Sequence, residues 1–151
     1  MDKIKILLVD DDEDDRDFFV NAVNELNIPH QILTATDGQG LFEILENGDS
    51  FDLIFLDINI PKFNGRTCLK RIKTHEIYKA IPVIIYSGSS YGGDIDDTYQ
   101  SGAHYYFIKP NTRINLLSGL KIIFSINWKS QQTIPSKDNF VISISYNERA
   151  K

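Results

Sequence analysis

Short apolar runs alternate along this chain with segments whose apolar positions recur three or four residues apart. The first run, Ile4-Lys5-Ile6-Leu7-Leu8-Val9, is nearly continuous, as in a strand covered on both faces rather than one with a face in water. From Glu13 to Leu26, the positions Phe19, Val23 and Leu26, flanked by Phe18 and Ala22, predict a helix that ends before Pro29. His30 to Ala35 reads as a second, weaker strand. Asp37 is placed to cap a helix carrying Leu41, Phe42 and Leu45, which Asn47-Gly48 closes. Phe51 to Leu56 is the third strand. A loop marked by Pro61 and Asn64-Gly65 follows, and then a helix to about Lys73 with Cys68, Leu69 and Ile72 on one stripe. Pro82 opens a fourth strand, Val83 to Tyr86. After a loop from Ser87 to Gly93, residues Asp94 to Ser101 predict a short polar helix ended by Gly102. Tyr105 to Ile108 is the fifth strand, and a last helix runs from about Thr112 to Asn127 with Ile114, Leu117, Leu120, Ile123 and Phe124 inward.

Regular alternation of strand and helix predicts an α/β fold of three layers, a parallel sheet with helices on both faces. After Trp128 the pattern changes. A polar stretch with Pro135 leads to Phe140, Ile142, Ile144 and Tyr146, which alternate as one face of a strand. The expected organisation is one domain over residues 1–128 and a C-terminal tail over residues 129–151. The tail's strand pairs with a sheet edge, its own or a partner's. Its 23 residues are too few for a separate output domain.

Composition narrows the function classes. The chain has 151 residues, 42% of them hydrophobic and 25% charged, which disfavours a disordered chain. Its net charge of −5 argues against nonspecific binding to nucleic acid or an anionic membrane. A single cysteine, Cys68, leaves no internal disulfide and no Cys-based zinc site. No signal peptide is read at the start, and no stretch approaches the ~18 apolar residues of a membrane span. The expectation is a cytoplasmic domain. Its charge is uneven: residues 1–17 hold eight of the 21 acids, whereas residues 109–151 carry seven basic residues and two acids.

In a parallel sheet, ligands bind beyond the carboxyl ends of the strands. The first strand ends in Asp10-Asp11-Asp12, the third in Asp57, the fourth in Ser87 and the fifth in Lys109. Carboxylates gathered at one edge repel unless a cation joins them. Mg²⁺ suits oxygen ligands, with phosphate completing its shell. Lys109 supplies a point charge for an anion and Ser87 a hydroxyl donor, so the set reads as a phosphoryl-binding site. A carboxylate can accept the phosphoryl as a nucleophile. Asp57, alone at its strand end, is the candidate, and Asp10 and Asp11 suit the metal. Asp12 to Asp17 read as a solvated helix start. His30, His75 and His104 are scattered and suggest no ligand set.

Val9-Asp10-Asp11, the run from Asp52 through Asp57 to Gly65, Ser87, and Lys109-Pro110 together resemble the receiver domain of two-component response regulators, over about residues 3–127. The resemblance implies a flavodoxin-like five-stranded parallel sheet of order 2-1-3-4-5. It implies that Asp57 accepts a phosphoryl group from a sensor histidine kinase or a histidine phosphotransfer protein, and that the domain catalyses its own phosphorylation and dephosphorylation without being an enzyme in its own right. Mg²⁺ would be held by Asp11 and Asp57 directly, by the backbone carbonyl of Asn59, and by Asp10 through water. Lys109 would contact the phosphoryl oxygens. Ser87 would be the switch hydroxyl and Tyr106 the aromatic that reorients with it, although Tyr105 doubles that aromatic. Lys109-Pro110 would be a cis peptide. Ser89 occupies a position that tunes acyl-phosphate lifetime, and without a carboxylate there the phosphoryl state should be long-lived.

Output would then be by binding a downstream protein through the face of the fourth helix, fifth strand and last helix, and a homodimer is a candidate assembly. The loop Pro61-Lys62-Phe63-Asn64-Gly65 is similar to that of short receivers that partner phytochrome-like sensor kinases. A degenerate receiver that binds without phosphorylation is the alternative, against which the intact set of Asp10, Asp11, Asp57, Ser87 and Lys109 argues. A haloacid dehalogenase-type phosphatase would need its nucleophile after the first strand. A flavodoxin-like cofactor binder would need a neutral loop where Asp10-Asp11-Asp12 stands.

Overall fold

β1 (Ile4–Val9) forms the middle of the molecule because both of its faces are apolar: Ile6, Leu7, Leu8 and Val9 are all fully buried, alternately toward opposite sides of the sheet. The computed structural model describes residues 3–130 and 134–144. Along the chain follow α1 (Glu13–Glu25), β2 (His30–Ala35), α2 (Gly38–Glu46), β3 (Leu53–Leu56), α3 (Gly65–Thr74), β4 (Val83–Ser87), α4 (Gly92–Gln100), β5 (Tyr105–Ile108), α5 (Arg113–Phe124) and β6 (Val141–Ile142). The sheet is parallel throughout, in the order β2-β1-β3-β4-β5-β6.

The two faces of the sheet carry separate cores. Phe19, Ala22 and Val23 of α1 and Leu116, Leu120 and Ile123 of α5 cover Ile6, Leu8, Phe55, Tyr86 and Phe107. The other face packs Leu41, Phe42 and Leu45 of α2, Cys68, Leu69 and Ile72 of α3, and Ile95 and Tyr99 of α4 over Leu7, Val9, Ile54, Leu56 and Tyr106. Four helix starts are capped by side chains: Asp12 takes the Asp15 amide (3.0 Å), Asp37 that of Gly40 (2.7 Å), Asn64 that of Thr67 (3.0 Å) and Thr112 that of Asn115 (3.2 Å). Each of these caps follows a strand, so all four lie on the sheet's carboxyl edge.

Expectation and structure differ in instructive places. The third strand starts at Leu53 rather than Phe51; just ahead of it, Asp52 meets Lys5 of β1 twice, its amide donating to Lys5 O at 2.8 Å and its Oδ2 accepting the Lys5 amide at 2.8 Å. α4 begins at Gly92, ahead of Asp94, and α5 ends at Phe124 rather than Asn127. On α5, Ile114 is not inward but 69% exposed. The helix instead lies on the stripe Leu116, Gly119, Leu120 and Ile123, since Gly119 lets it approach Phe107 so closely that a Cβ would stand 2.2 Å from the ring. No cis peptide occurs among the described residues, so the peptide before Pro110 is trans, the intrinsically favoured form.

The tail does add to the chain's own sheet. α5 runs back to the amino edge, so a tail that rejoins the sheet from there must run parallel, and β6 pairs Val141 with Tyr106 and Ile142 with Phe107. The predicted single face breaks at Phe140. This residue closes a 3₁₀ turn (Lys137–Asn139) with helical backbone angles, and packs on the α4 side, whereas Ile142 and Ile144 face the α5 side. Tyr146 lies outside the described residues.

Candidate functional site

Asp10, Asp57, Ser87 and Lys109 each stand where a buried strand runs out at the carboxyl edge. The ladder aligns those ends: the Asp10 amide donates to Ala35 O, the Asp57 amide to Val9 O and the Lys109 amide to Ser87 O. Asp10 and Asp57 are buried and Asp11 is exposed, and the three offer carboxylate oxygens that all lie within 4.8 Å of one another. Gly65 brings the start of α3 against the backbone of the Asp57 loop. A Cβ there would stand 2.2 Å from Asp57 O, and the Gly65 amide donates to Ile58 O at 2.8 Å.

The Lys109 ammonium lies among these carboxylates. Nζ is 2.8 Å from Asp57 Oδ2, 2.8 Å from Asp10 Oδ2 and 2.9 Å from Asp15 Oδ2, with the Tyr86 ring behind it at 5.4 Å. The contacts to Asp57 and Asp15 are hydrogen bonds, while Asp10 Oδ2 is an ion-pair partner buried without a hydrogen bond of its own. Burial works against the ammonium, but the three carboxylates outweigh it and raise its pKa. Burial also raises the Asp10 pKa, against the pull of Lys109 and of the Asp12 amide that Asp10 Oδ1 accepts at 3.0 Å. Two of the carboxylates are thus gathered at close range in a desolvated pocket, with one orphaned oxygen, and that donor set of hard oxygens fits a small divalent cation. Asn59, exposed two residues beyond Asp57, donates its amide to Asp57 Oδ1 at 3.3 Å.

Ser87 and Tyr106 meet through Ser89. Ser87 Oγ, fully buried, accepts the Ser89 amide at 3.2 Å, and the Tyr106 hydroxyl donates to Ser89 O at 2.8 Å. Tyr105 turns the other way, its ring edge-on to Trp128 with centroids 6.0 Å apart, so of the two tyrosines only Tyr106 touches the loop after β4. The Ser89 hydroxyl is committed elsewhere, donating to Asp94 Oδ2 at 2.6 Å, and Arg66 of α3 pairs with the same carboxylate. Cys68 is buried, and burial pushes its thiol up to about 11, as an inert core residue requires.

Asp15 is the residue at this site that the sequence pattern did not mark. It read as part of a solvated acidic helix start, and only the phase of α1 against the sheet turns it toward Lys109. The expected output face also differs in one respect: residues 134–142 lie across its α4–β5 portion. Phe140 is fully buried there, 5.0 Å from the Tyr99 ring and 6.3 Å from the Tyr106 ring. Pro135 O accepts the Tyr99 hydroxyl at 3.2 Å, and Lys137 pairs with Asp96 at 2.5 Å. A cleft of about 590 Å³ opens at the opposite, amino edge, lined by Lys5, Phe124 and Trp128 among others. It contains none of these carboxylates. No helix among the described residues is long and apolar enough to cross a membrane.

Comparison with known proteins points the same way as the geometry. A family model described as the response regulator receiver domain matches residues 6–121. The chain is 29% identical over 137 residues to the response regulator Rcp1 of Synechocystis sp., an alignment covering 87% of this chain and 92% of that protein. It is 32% identical over 121 residues to the chemotaxis protein CheY-3 of Vibrio cholerae, covering 80% and 92% respectively. Among solved structures, the phosphorylated cyanobacterial phytochrome response regulator RcpA is similar with a TM-score of 0.78 at 33% identity, over 89% of this chain and 100% of that one. The Mn²⁺-bound form of Rcp1 is similar with a TM-score of 0.74 at 29% identity, over 88% and 99%.

Proposed function

The chain belongs to the response regulator receiver domain family, signalling modules of two-component systems that histidine kinases phosphorylate, and on that premise we propose that it is a phosphorylation-controlled switch with Asp57 as its phosphoacceptor. The observation that carries this reading is the placement of Asp57 at the end of β3, 2.8 Å from Lys109 and sharing a pocket with Asp10 and Asp11. Residues 1–128 form the receiver, and β6 in the segment that follows extends its sheet.

Receiver domains bind a divalent metal, and here we assign Mg²⁺, with Asp11, Asp57 and the Asn59 carbonyl as direct ligands and Asp10 acting through water. The bound cation would offset the negative charge of the pocket and of the incoming phosphoryl group. An Asp57 carboxylate oxygen attacks the phosphorus of a phosphohistidine. The new O–P bond forms as the P–N bond breaks, and the imidazole nitrogen leaves with the bonding pair and takes a proton. Lys109 hydrogen-bonds a phosphoryl oxygen and holds it in line. Ser87 Oγ donates to a second oxygen. That draws on the loop through Ser89, to which Tyr106 is also bonded, so the aromatic follows the hydroxyl. The kinase is a sensor histidine kinase or acts through a histidine phosphotransfer protein, and the likeness to RcpA favours a phytochrome-like sensor. The downstream partner docks on α4, α5 and the β6 edge between them.

Incubation with Mg²⁺ and a small phosphodonor, read by intact mass, tests the reading. Wild type should gain one phosphoryl group only with Mg²⁺, and Asp57→Asn none. An adduct of equal yield on Asp57→Asn would overturn the assignment, and no adduct on wild type would favour a receiver that binds without phosphorylation. Decay after the donor is removed reads the lifetime. With the Ser89 hydroxyl held by Asp94, no group there orients an attacking water, so decay should be slow, and Ser89→Glu should hasten it by about tenfold or more.

A further inference from the structure

Lys109 has three ammonium hydrogens and three carboxylate neighbours, Asp10, Asp57 and Asp15. Two of these hydrogens go to Asp57 and Asp15 and Asp10 sits 2.8 Å away as an ion-pair partner, so a phosphoryl oxygen that approaches the ammonium competes with carboxylates already in place. The three differ in how readily they can let go. Asp10 is fully buried, with Oδ1 held by the Asp12 amide, and release from Lys109 would leave its Oδ2 charged and without a partner in a dry pocket. Asp57 is the group that is modified, so its distance to Lys109 changes little. Asp15 stands in the first turn of α1 with its side chain 42% exposed, and water can solvate its carboxylate as soon as the contact opens.

We infer that Asp15 is a positioning residue that holds the Lys109 ammonium at the pocket in the resting state and competes with the phosphoryl group for it. A phosphoryl oxygen on Asp57 displaces the Asp15 carboxylate from Nζ, while Asp10 keeps its ion pair. Asp15 sets how strongly the site favours the phosphorylated form, because every gain of the Lys109–phosphoryl contact costs the Lys109–Asp15 contact. Its charge acts in the same direction, repelling an anion that arrives within reach of the same ammonium. The inference rests on Asp57 being the phosphoacceptor and concerns a carboxylate outside the metal set.

Beryllofluoride, a non-covalent phosphoryl mimic, tests it on the full chain. Wild type, Asp15→Asn and Asp15→Glu are titrated at Mg²⁺ concentrations shown to saturate each protein, with bound fluoride read by ¹⁹F NMR and folding checked by thermal unfolding. Asp15→Asn should bind about two- to fivefold more tightly than wild type, the size of a half-exposed ion pair, and the gain should shrink at high salt. Asp15→Glu, which keeps the charge, should stay near wild type. A purely helix-capping role would move thermal stability and leave the affinity unchanged. Equal or weaker binding by Asp15→Asn, or the same gain in Asp15→Glu, would overturn the inference, and Asp15→Ser carries the same comparison should the Asn variant not fold. Wild type that binds no beryllofluoride with Mg²⁺ would instead remove the phosphoacceptor reading, and this inference with it.

Discussion

His104 has one ring nitrogen, Nδ1, buried with no hydrogen-bond partner, and its ring lies edge-on to Trp128 with centroids 6.0 Å apart. Burial first, and the nearby Lys73 charge second, hold its pKa down to about 4. An unfolded histidine titrates near 6.5, so between about 6.5 and 4 the unfolded chain binds the extra proton. The stability that a neutral His104 contributes is complete above pH 6.5 and is lost as pH falls through that window. Urea unfolding at pH 7 and pH 5 should show His104→Leu losing about 2 kcal/mol less than wild type on acidification. An equal loss in both proteins would mean the ring is not held neutral by its surroundings. None of this was legible in the sequence, where His104 was one of three scattered histidines. The polar residues at the carboxyl edge were legible for the opposite reason. Asp10, Asp57 and Lys109 each interrupt a run whose other members must be buried on both faces, so their position carried the information. Asp15 sat among four other acids in the run from Asp12 to Asp17, and nothing in that run distinguishes the one that faces Lys109.

Among the elements, β1, β2, β4 and β5 followed their apolar runs closely, since burial leaves a strand little choice of register. α5 did not follow its apparent stripe. Its apolar residues extend around more of the helix than one face can bury, and the side that won is the one where Gly119 removes the obstacle to Phe107. Strand alternation in the tail failed at Phe140 for a local reason, a 3₁₀ turn that swings this ring across the sheet plane to the α4 side. There it closes the edge of β5, which would otherwise expose unpaired backbone groups. Phe140 O accepts the Tyr106 amide at 3.0 Å, so ring and backbone of one residue secure the tail against β5. Phe140→Ala should destabilise the chain by about 3 kcal/mol, the low end for a buried phenylalanine because the site is at an edge. Exchange of the Tyr106 amide should rise with it. Unchanged protection of that amide in the variant would show that β6 pairs without its anchor.

For the molecule as a whole, the helices run opposite to the strands, so capped helix starts and acidic strand ends share one edge, and the partial positive charge at each helix start opposes the carboxylates' mutual repulsion. Layering and parallel sense were readable from the alternation of elements. The order of the strands was implied by the family resemblance rather than by any periodicity, and the place of β6 beside β5 depends on where α5 ends. The net charge of −5 concealed this polarity, an acidic carboxyl edge against an amino edge with Lys3, Lys5 and Lys129. Three carboxylates within 4.8 Å of one another and a single lysine leave the pocket negative, a strain on the folded state that the unfolded chain, with its acids apart, does not share. A cation bound only by the folded form must therefore raise stability, by about 2.7 kcal/mol at a hundredfold excess over its dissociation constant. Urea unfolding of wild type with Mg²⁺ and with chelator should show that difference. Asp11→Asn removes one of the proposed ligands and one of the repelling charges, and should be no less stable than wild type in chelator yet lose most of the gain from Mg²⁺. A gain from Mg²⁺ of the same size in Asp11→Asn would place the cation elsewhere on the acidic edge.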